Sequence, residues 1–322
     1  MGRCKAGPER PGLEEKRDEM RERGSIRLRR AVVGLLATGG LLATMLLGTP
    51  GTSGAASSPT YYVSVGDSYS VGYQPGLGAT SGYTGYVAKK TKLTLVNFGC
   101  GGATTSSIIN TIGCPDVLPH TAGGVAYPTT TQAAAAEAFL SAHKGHIGLI
   151  TVSIGGNDVK SCAAGASPIP CVAAAVSSIS TNVTALASGL RSAAGSKVPI
   201  IGLTYPDVIL GSYVYPTQPA PASTITLAKL SVTAFKSLIN PTLSKAYSQA
   251  GGVLVDVTAA TGAYTSLSRT VKLKPYGTIP VPVASVCTLT WFCAKGNIHA
   301  TTKGYTLIGK LVAARYAVMT KA

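Results

Sequence analysis

The chain has 322 residues, of which 45% are hydrophobic and 12% are charged, with 28 Lys and Arg against 12 Asp and Glu. This composition excludes a disordered chain, and the glycines lack the three-residue period of collagen. The length predicts one large domain, or at most two. The net charge of +16 reflects a scarcity of acids rather than a basic stripe. The Lys and Arg that follow residue 30 are scattered along the chain, and Lys89, Lys90 and Lys92 form their only local cluster. We therefore expect no nucleic-acid partner.

The N-terminal region has the pattern of an export signal. Residues 31–47 are apolar and uncharged, and they follow a short stretch rich in arginine. Further on, Gly54 and Ala56 place small residues where a signal peptidase requires them. The pattern predicts a signal peptide over residues 1–56 and a single catalytic domain over residues 57–322.

An uncleaved anchor helix is the alternative for this region, although 17 apolar residues are borderline for a membrane span. Met20 would provide a more ordinary start, which makes residues 1–19 an extension ahead of it. We expect a secreted, extracellular protein.

Six cysteines follow the leader, and an even number in an exported chain indicates a disulfide framework. Six cysteines allow about 15 pairings. We expect the local ones, which are Cys100–Cys114, Cys162–Cys171 and Cys287–Cys293. The cysteines include no C-x-x-C pair and have no histidine at ligand spacing, so we expect neither a metal nor a cofactor.

Short apolar runs alternate with longer helical patterns along the mature chain. The predicted strands are 60–68, 92–100, 147–158, 197–207 and 251–258, and the predicted helices are 129–142, 172–194, 224–249 and 301–319. Strands that are nearly continuous in Val, Ile and Leu are typical of a parallel sheet buried on both faces. The alternation predicts an α/β fold, a three-layer α/β/α sandwich. The proline-rich loop 204–217 would lie near the carboxyl ends of the strands, where such sheets bind ligands.

Four short blocks at the ends of these elements carry candidate catalytic residues. Ser68 lies in GDSYS, Gly102 in CGGATT, Asn157 in GGND and His299 in NIHATTKGY. Each block alone has an ordinary structural explanation, because Asp and Ser cap helices and Gly and Asn form turns.

In this order and spacing, the four blocks resemble those of the GDSL, or SGNH, family of serine hydrolases. The segment from Cys287 to Cys293 also resembles the cysteine-bracketed segment of secreted actinobacterial members. The resemblance covers residues 60–320 and implies a flavodoxin-like fold with one parallel sheet.

The resemblance also implies acyl transfer to a serine. Ser68 would be the nucleophile and His299 its general base, since a serine hydroxyl needs a neighbouring base. The backbone N–H groups of Ser68 and Gly102, with the side-chain amide of Asn157, would stabilise the oxyanion.

One departure from the family pattern concerns the histidine. The family usually has Asp three residues before it, but Gly296 occupies that position here, and no acid is near in the sequence. We therefore expect a dyad of Ser68 and His299, with the ring Nδ1–H oriented by the main-chain carbonyl of Gly296. A distant Asp, such as Asp207 or Asp256, is the alternative partner.

These observations favour a secreted esterase or lipase that hydrolyses small-molecule or lipid esters, acting as a monomer with transient lipid-surface contact. A carbohydrate acetylesterase of the same family is one alternative. A binding protein with a silent hydrolase fold is another, because the usual Asp is missing.

Several other residues carry weaker expectations. We expect Asp158 to be a structural hydrogen-bonding partner, and we expect the remaining histidines to lie on the surface or in loops: His120, His143 and His146. Three tyrosines are as compatible with a substrate pocket as with packing: Tyr69, Tyr213 and Tyr215.

Overall fold

The computed structural model describes residues 60–114, 122–160, 162 and 167–321. The predicted leader, residues 1–56, lies outside these ranges, and so does His120. The described residues belong to one compact unit, Ala56–Ala322.

A five-stranded parallel sheet forms the centre of the molecule. Its strands are β1 (Tyr61–Gly66), β2 (Thr94–Asn97), β3 (Ile147–Ser153), β4 (Ile200–Leu203) and β5 (Val253–Val255), in the spatial order β2-β1-β3-β4-β5. Every pairing within this sheet is parallel. All five strands fall inside the predicted apolar runs, and the order reverses beside β1, where doubly wound sheets bind ligands.

Twelve α-helices are found in the part of the chain that the structure describes. They are α1 (Ser68–Val71), α2 (Gly82–Thr91), α3 (Ser107–Asn110), α4 (Gln132–Ala142), α5 (Gly156–Lys160), α6 (Pro168–Ala194), α7 (Ala222–Ala234), α8 (Asn240–Gln249), α9 (Val257–Ala260), α10 (Val281–Leu289), α11 (Phe292–Lys295) and α12 (Thr302–Met319).

The helices cover the sheet on both faces. α4, α6 and α8 pack on one face around Val63 and Ile150, whereas α2 and α12 pack on the other around Tyr62 and Leu149. Neighbouring residues of a strand point to opposite faces, so each strand contributes to both cores. The predicted three-layer α/β/α architecture is confirmed.

α6 is the longest helix that the structure describes. Its pattern of buried residues, rather than its apolar composition, shows how it packs. Its 27 residues are long and apolar enough to cross a membrane by that criterion alone. The buried residues follow a helical period along one side: Ile179, Val183, Leu186, Ala187, Leu190 and Ala194. This stripe packs on the sheet, while most of the N-terminal turns are exposed or half-buried.

Three regions differ from the sequence expectations. α2 (Gly82–Thr91) is not among the predicted helices, although it covers one face of the sheet. The predicted helix 224–249 is interrupted by a π-helical turn, Phe235–Ile239, because Pro241 lacks the N–H that a continuous helix would need. The chain also forms an antiparallel hairpin, β6 (Thr270–Leu273) and β7 (Gly277–Pro280), which packs with α10 around a third, smaller core. Its strands are too short and too polar for periodicity to reveal them.

The three predicted disulfides are confirmed: Cys100–Cys114, Cys162–Cys171 and Cys287–Cys293. Each closes a short loop. The first holds the loop that carries Gly102, and the third lies just ahead of the segment that carries His299.

Candidate active site

Ser68 stands where β1 turns into α1. Gly66 has a φ of +147°, and a side chain there would collide with the carbonyl oxygen of Ser153 on the neighbouring strand. Asp67 caps the short helix by accepting a hydrogen bond from the Tyr69 N–H at 2.9 Å. Ser68 is therefore the first helical residue at the carboxyl edge of the sheet, and it is 8% exposed.

His299 reaches Ser68 from the far end of the chain. Its Nε2 lies 2.7 Å from the Ser68 Oγ, although the two residues are separated by 231 positions. The loop between α11 and α12 is held over α1 by the Tyr69 hydroxyl, which donates to the Ile298 carbonyl at 2.7 Å. The ring of Tyr73 packs edge-on against the imidazole at 4.6 Å between centroids.

The group that orients the imidazole is the side chain of Asn297, so the expectation of a Gly296 carbonyl is wrong. The Asn297 Oδ1 lies 2.7 Å from the His299 Nδ1 and accepts the His299 backbone N–H at 3.1 Å. The second contact is an Asx turn, in which an Asn side chain bonds the backbone two residues on. Gly296 instead ends α11 in the left-handed conformation, with a φ of +62°.

This environment keeps the imidazole neutral. Burial lowers the pKa of His299 to about 4, and the positive charge of Lys160 acts in the same direction. A neutral ring with its Nδ1–H directed at Asn297 presents a free lone pair on Nε2 toward the serine hydroxyl. This is the form that a general base needs.

Backbone hydrogen bonds bring the first three blocks together. The Cys100 N–H donates to the Gly66 carbonyl at 2.9 Å, and the Asp67 N–H donates to the Ser153 carbonyl at 3.0 Å. The Asn157 side chain donates to the Ala103 carbonyl at 2.9 Å, so the second and third blocks are also joined to each other.

Gly102 and Asn157 lie in the segments that follow β2 and β3, at the same edge of the sheet as Ser68. Gly102 is exposed and has a φ of +73°, and a Cβ built there would meet nothing within 4 Å. Asn157 lines the same pocket as Ser68. The N–H groups of Ser68 and Gly102 donate no hydrogen bond to any residue that the structure describes.

Asp158 has the structural part expected of it. Both of its carboxylate oxygens accept from the Thr105 N–H, at 3.2 and 3.0 Å, and one also accepts from the Thr105 hydroxyl. Asp158 therefore fastens the loop that follows Gly102.

Asp67 is buried beside the nucleophile and is bound by a residue that the sequence analysis did not single out. The Tyr205 hydroxyl donates to its Oδ2 at 2.6 Å. Burial raises the pKa of Asp67 to about 7, against the opposing effect of these hydrogen bonds. Tyr205 directly follows the strand pattern of β4, but nothing in its local sequence distinguishes it from a packing tyrosine.

An apolar pocket opens beside Ser68. Tyr69 and Asn157 form part of its wall, and most of the remainder is aliphatic or aromatic: Val159, Ile169, Val172, Ile209, Leu227, Leu230 and Phe235. The predicted loop 204–217 contributes Tyr205, Pro206, Val208 and Ile209, and Val208–Tyr213 form a 3-10 helix. Tyr213 and Tyr215 are not among the residues that line this pocket in the described chain, and Tyr215 packs against Gly296 and Phe292 instead.

The remaining histidines lie away from the site. His143 ends α4, with its ring stacked on Phe139 at 4.0 Å, and His146 is exposed. Within the described ranges, no group of three or more His, Cys, Asp or Glu side chains is placed to hold a metal ion.

Comparisons with known proteins place this site in a family. The model of the GDSL-like lipase/acylhydrolase family matches residues 64–307, which include Ser68, Gly102, Asn157 and His299. No curated protein matches the chain.

Solved structures of similar proteins include a G-D-S-L family protein from Desulfitobacterium hafniense, which is 14% identical, with a TM-score of 0.42, and covers 79% of this chain and 98% of its own. A salicylyl-acyltransferase from a tetracycline biosynthetic pathway is 10% identical, with a TM-score of 0.41, and covers 82% of this chain and 56% of its own. The family match spans more than half of the chain and contains all four blocks, so this chain belongs to the GDSL-like lipase/acylhydrolase family.

Proposed function

We propose that the protein is a secreted serine esterase that hydrolyses carboxylic esters through an acyl-Ser68 intermediate. The observation that carries this proposal is the 2.7 Å contact between the Ser68 Oγ and the His299 Nε2. A serine hydroxyl becomes a useful nucleophile only beside a base, and here the base is held neutral and aligned.

The reaction proceeds in two half-reactions. The Ser68 Oγ attacks the acyl carbon while His299 takes its proton, and the resulting oxyanion is stabilised by the N–H groups of Ser68 and Gly102 and the Asn157 amide. The protonated His299 then gives its proton to the leaving alcohol as the C–O bond breaks. Water attacks the acyl-Ser68 ester, its proton passes to His299 and then to Ser68, and the free acid leaves.

Labelling with a fluorophosphonate tests the nucleophile and the general base together. The mature protein is expected to take one label, which is lost in Ser68→Ala and strongly reduced in His299→Ala. The exposed Ser81, which directly precedes α2, provides the matched control, since Ser81→Ala should label normally. A folded wild-type protein that takes no label would instead favour the silent binding protein.

The apolar pocket favours an acyl chain over the acetyl group of a sugar. An acetyl group would leave most of the aliphatic wall between α6 and α7 unfilled, whereas each buried methylene contributes about 0.8 kcal/mol. We expect kcat/KM for p-nitrophenyl esters to rise from acetate to octanoate. A preference for acetylated xylan over all of these esters would identify the carbohydrate acetylesterase instead.

We also propose that residues 1–56 direct export and are removed, leaving residues 57–322 as a monomeric catalytic domain that touches lipid surfaces transiently. The three disulfides support an oxidising compartment. N-terminal sequencing of the exported protein tests the cleavage, with Ser57 as the expected first residue.

A further inference from the structure

A group of the chain's exposed cations lies on two neighbouring helices. Seven of the 18 Lys and Arg that follow residue 30 lie on α2 and α12 or directly after them: Lys89, Lys90, Lys92, Lys303, Lys310, Arg315 and Lys321. All seven are exposed. α2 and α12 pack against each other, so cations that are more than 200 positions apart in sequence share one side of the molecule.

No carboxylate balances this surface among the described residues. Neither helix contains Asp or Glu. The five acids that the structure describes lie elsewhere: Asp67 and Asp158 near Ser68, Asp207 behind the pocket wall, Asp256 at the start of α9 and Glu137 on α4. α4 covers the opposite face of the sheet. The like charges on α2 and α12 therefore repel one another without local compensation.

A groove of about 560 Å³ is lined by residues of both helices. Lys90 and Lys310 both line it, together with Tyr86 and Tyr316, and the space between them is kept open by small residues of α12: Ala313, Ala314 and Ala317. Gly309 allows the close approach of the helices, since a Cβ there would come within 2.6 Å of the Tyr86 ring.

We propose that this groove binds a linear polyanion with closely spaced phosphate or sulfate groups. Such a chain would neutralise the uncompensated lysines and release its counterions, which is the main source of affinity in contacts of this kind. The shape favours a polymer over a membrane, because the groove is concave and its tyrosines are half-buried. Of the large apolar side chains that the structure describes on α2 and α12, only Val318 is exposed.

Binding of long-chain polyphosphate to the mature protein tests the proposal, measured by titration at several NaCl concentrations. Lys90→Gln with Lys310→Gln should weaken binding by roughly tenfold and lower the slope of log Kd against log [NaCl] by about two, one unit for each lysine. Lys144→Gln with Lys197→Gln is the matched control, because both lysines are exposed and lie on the opposite layer after α4 and α6. The control pair should bind as the wild type does.

Two further probes distinguish the sources of the anion. A single-stranded oligonucleotide that binds through the same lysine pair would support the groove and point to a phosphodiester polymer. Binding to phosphatidylglycerol vesicles that depends on Lys90 and Lys310, without binding to either polymer, would overturn the proposal. Equal loss of affinity in the control pair would overturn it as well, because it would show diffuse attraction. Hydrolysis of a soluble ester should be unchanged in both pairs, which verifies the fold.

Discussion

At the scale of single residues, the least conventional feature is an imidazole that faces an amide instead of a carboxylate. Asn297 orients His299 through its Oδ1, and the same oxygen holds the His299 backbone N–H. An amide sets the tautomer as well as a carboxylate does, but it carries no charge to stabilise the imidazolium. The lowered pKa of His299, about 4, follows from burial that no nearby anion offsets.

Asn297→Asp should therefore move the acid limb of the pH profile upward. The new carboxylate would favour the protonated ring and raise the pKa of His299, so activity would be lost at a higher pH than in the wild type. The wild type should remain active down to about pH 4 to 5, where its imidazole is still neutral. The measurement is kcat/KM against pH for a soluble ester, and identical acid limbs in the two proteins would contradict the assignment of Asn297.

Asn297→Ala tests the same contact without adding charge. Loss of the oriented tautomer should lower kcat by roughly tenfold to a hundredfold while KM changes little, since the side chain contacts the base and not the substrate pocket. Gly296→Ala is unsuitable as a control, because a side chain there would press on the Tyr215 ring. If Asn297 had only a structural role, Asn297→Ala would lower the melting temperature but leave the pH dependence of kcat/KM unchanged.

Asp207 is a buried acid that makes the stability depend on pH. Its Oδ2 accepts from the Ser231 hydroxyl at 2.8 Å, while its Oδ1 is buried with no partner among the described residues. Burial raises the pKa of Asp207 to about 7. The folded state thus holds a proton that the unfolded chain has already released, so the contribution of Asp207 to stability falls as pH rises from about 4 to about 7.

Asp207→Asn should remove this dependence. Relative to the wild type, the variant should gain on the order of 4 kcal/mol in the free energy of unfolding between pH 4 and pH 8, measured by urea denaturation. Asp67 also has a raised pKa, but it is present in both proteins and cancels in the difference. If the wild type and the variant differed in stability by the same amount at pH 4 and at pH 8, folding would not raise the pKa of Asp207.

At the scale of elements, the pocket is made where two helices meet beside the end of the sheet. Ile169, on the first turn of α6, is 41% exposed, and Leu230, on α7, is 38% exposed, although both line the pocket beside Ser68. Large apolar side chains left partly open at a site are typical of binding surfaces for apolar ligands. The free energy lost by exposing these side chains to water is regained when an acyl chain covers them.

Replacing both residues by serine should shorten the preferred acyl chain. In Ile169→Ser with Leu230→Ser, kcat/KM for p-nitrophenyl octanoate should fall by about tenfold or more, whereas acetate hydrolysis should stay within about twofold. Leu77→Ser is the control, because Leu77 is 65% exposed and lines a different depression. A parallel loss for both esters would mean that the substitutions disturb the catalytic groups and not the acyl pocket.

The Cys100–Cys114 disulfide constrains the loop that carries Gly102. Replacing both cysteines by serine should lower the free energy of unfolding by about 3 kcal/mol, as expected for a loop of this length. It should also lower kcat more than KM rises, because the proposed oxyanion donor, the Gly102 N–H, would become mobile. Cys162→Ser with Cys171→Ser provides the comparison, with a similar loss of stability and a smaller effect on kcat.

At the scale of the whole molecule, charge shows how sequence and structure differ in what they reveal. Along the chain, Lys90 and Lys310 are isolated from each other, and the bases look scattered. Packing of α2 on α12 places both lysines on one groove. A linear pattern detects clusters only within a few residues, so a basic surface assembled from two helices is visible only after folding.

The parallel sheet, the flanking helices α4, α6 and α12 and the four family blocks could be predicted because each depends on local pattern. The flanking helix α2 could not, since Gly82 and Gly85 weaken its helical pattern. Apolar runs define buried strands, glycines permit the left-handed turns that follow them, and the carboxyl ends of parallel strands meet at one edge. The hairpin and α10 could not be predicted, since their short segments gain stability mainly from the third core that they build together.

By itself, the sequence determined the fold class, the disulfide pairs and the family, whose four blocks contain Ser68, Gly102, Asn157 and His299. Only the tertiary structure decided what orients the imidazole, because an Asx turn moves the partner from Gly296 to the side chain of Asn297. It also decided the apolar wall of the pocket and the basic groove, since both consist of side chains from helices far apart in the chain. Local pattern specifies the elements, and the contacts between elements specify what the molecule can bind.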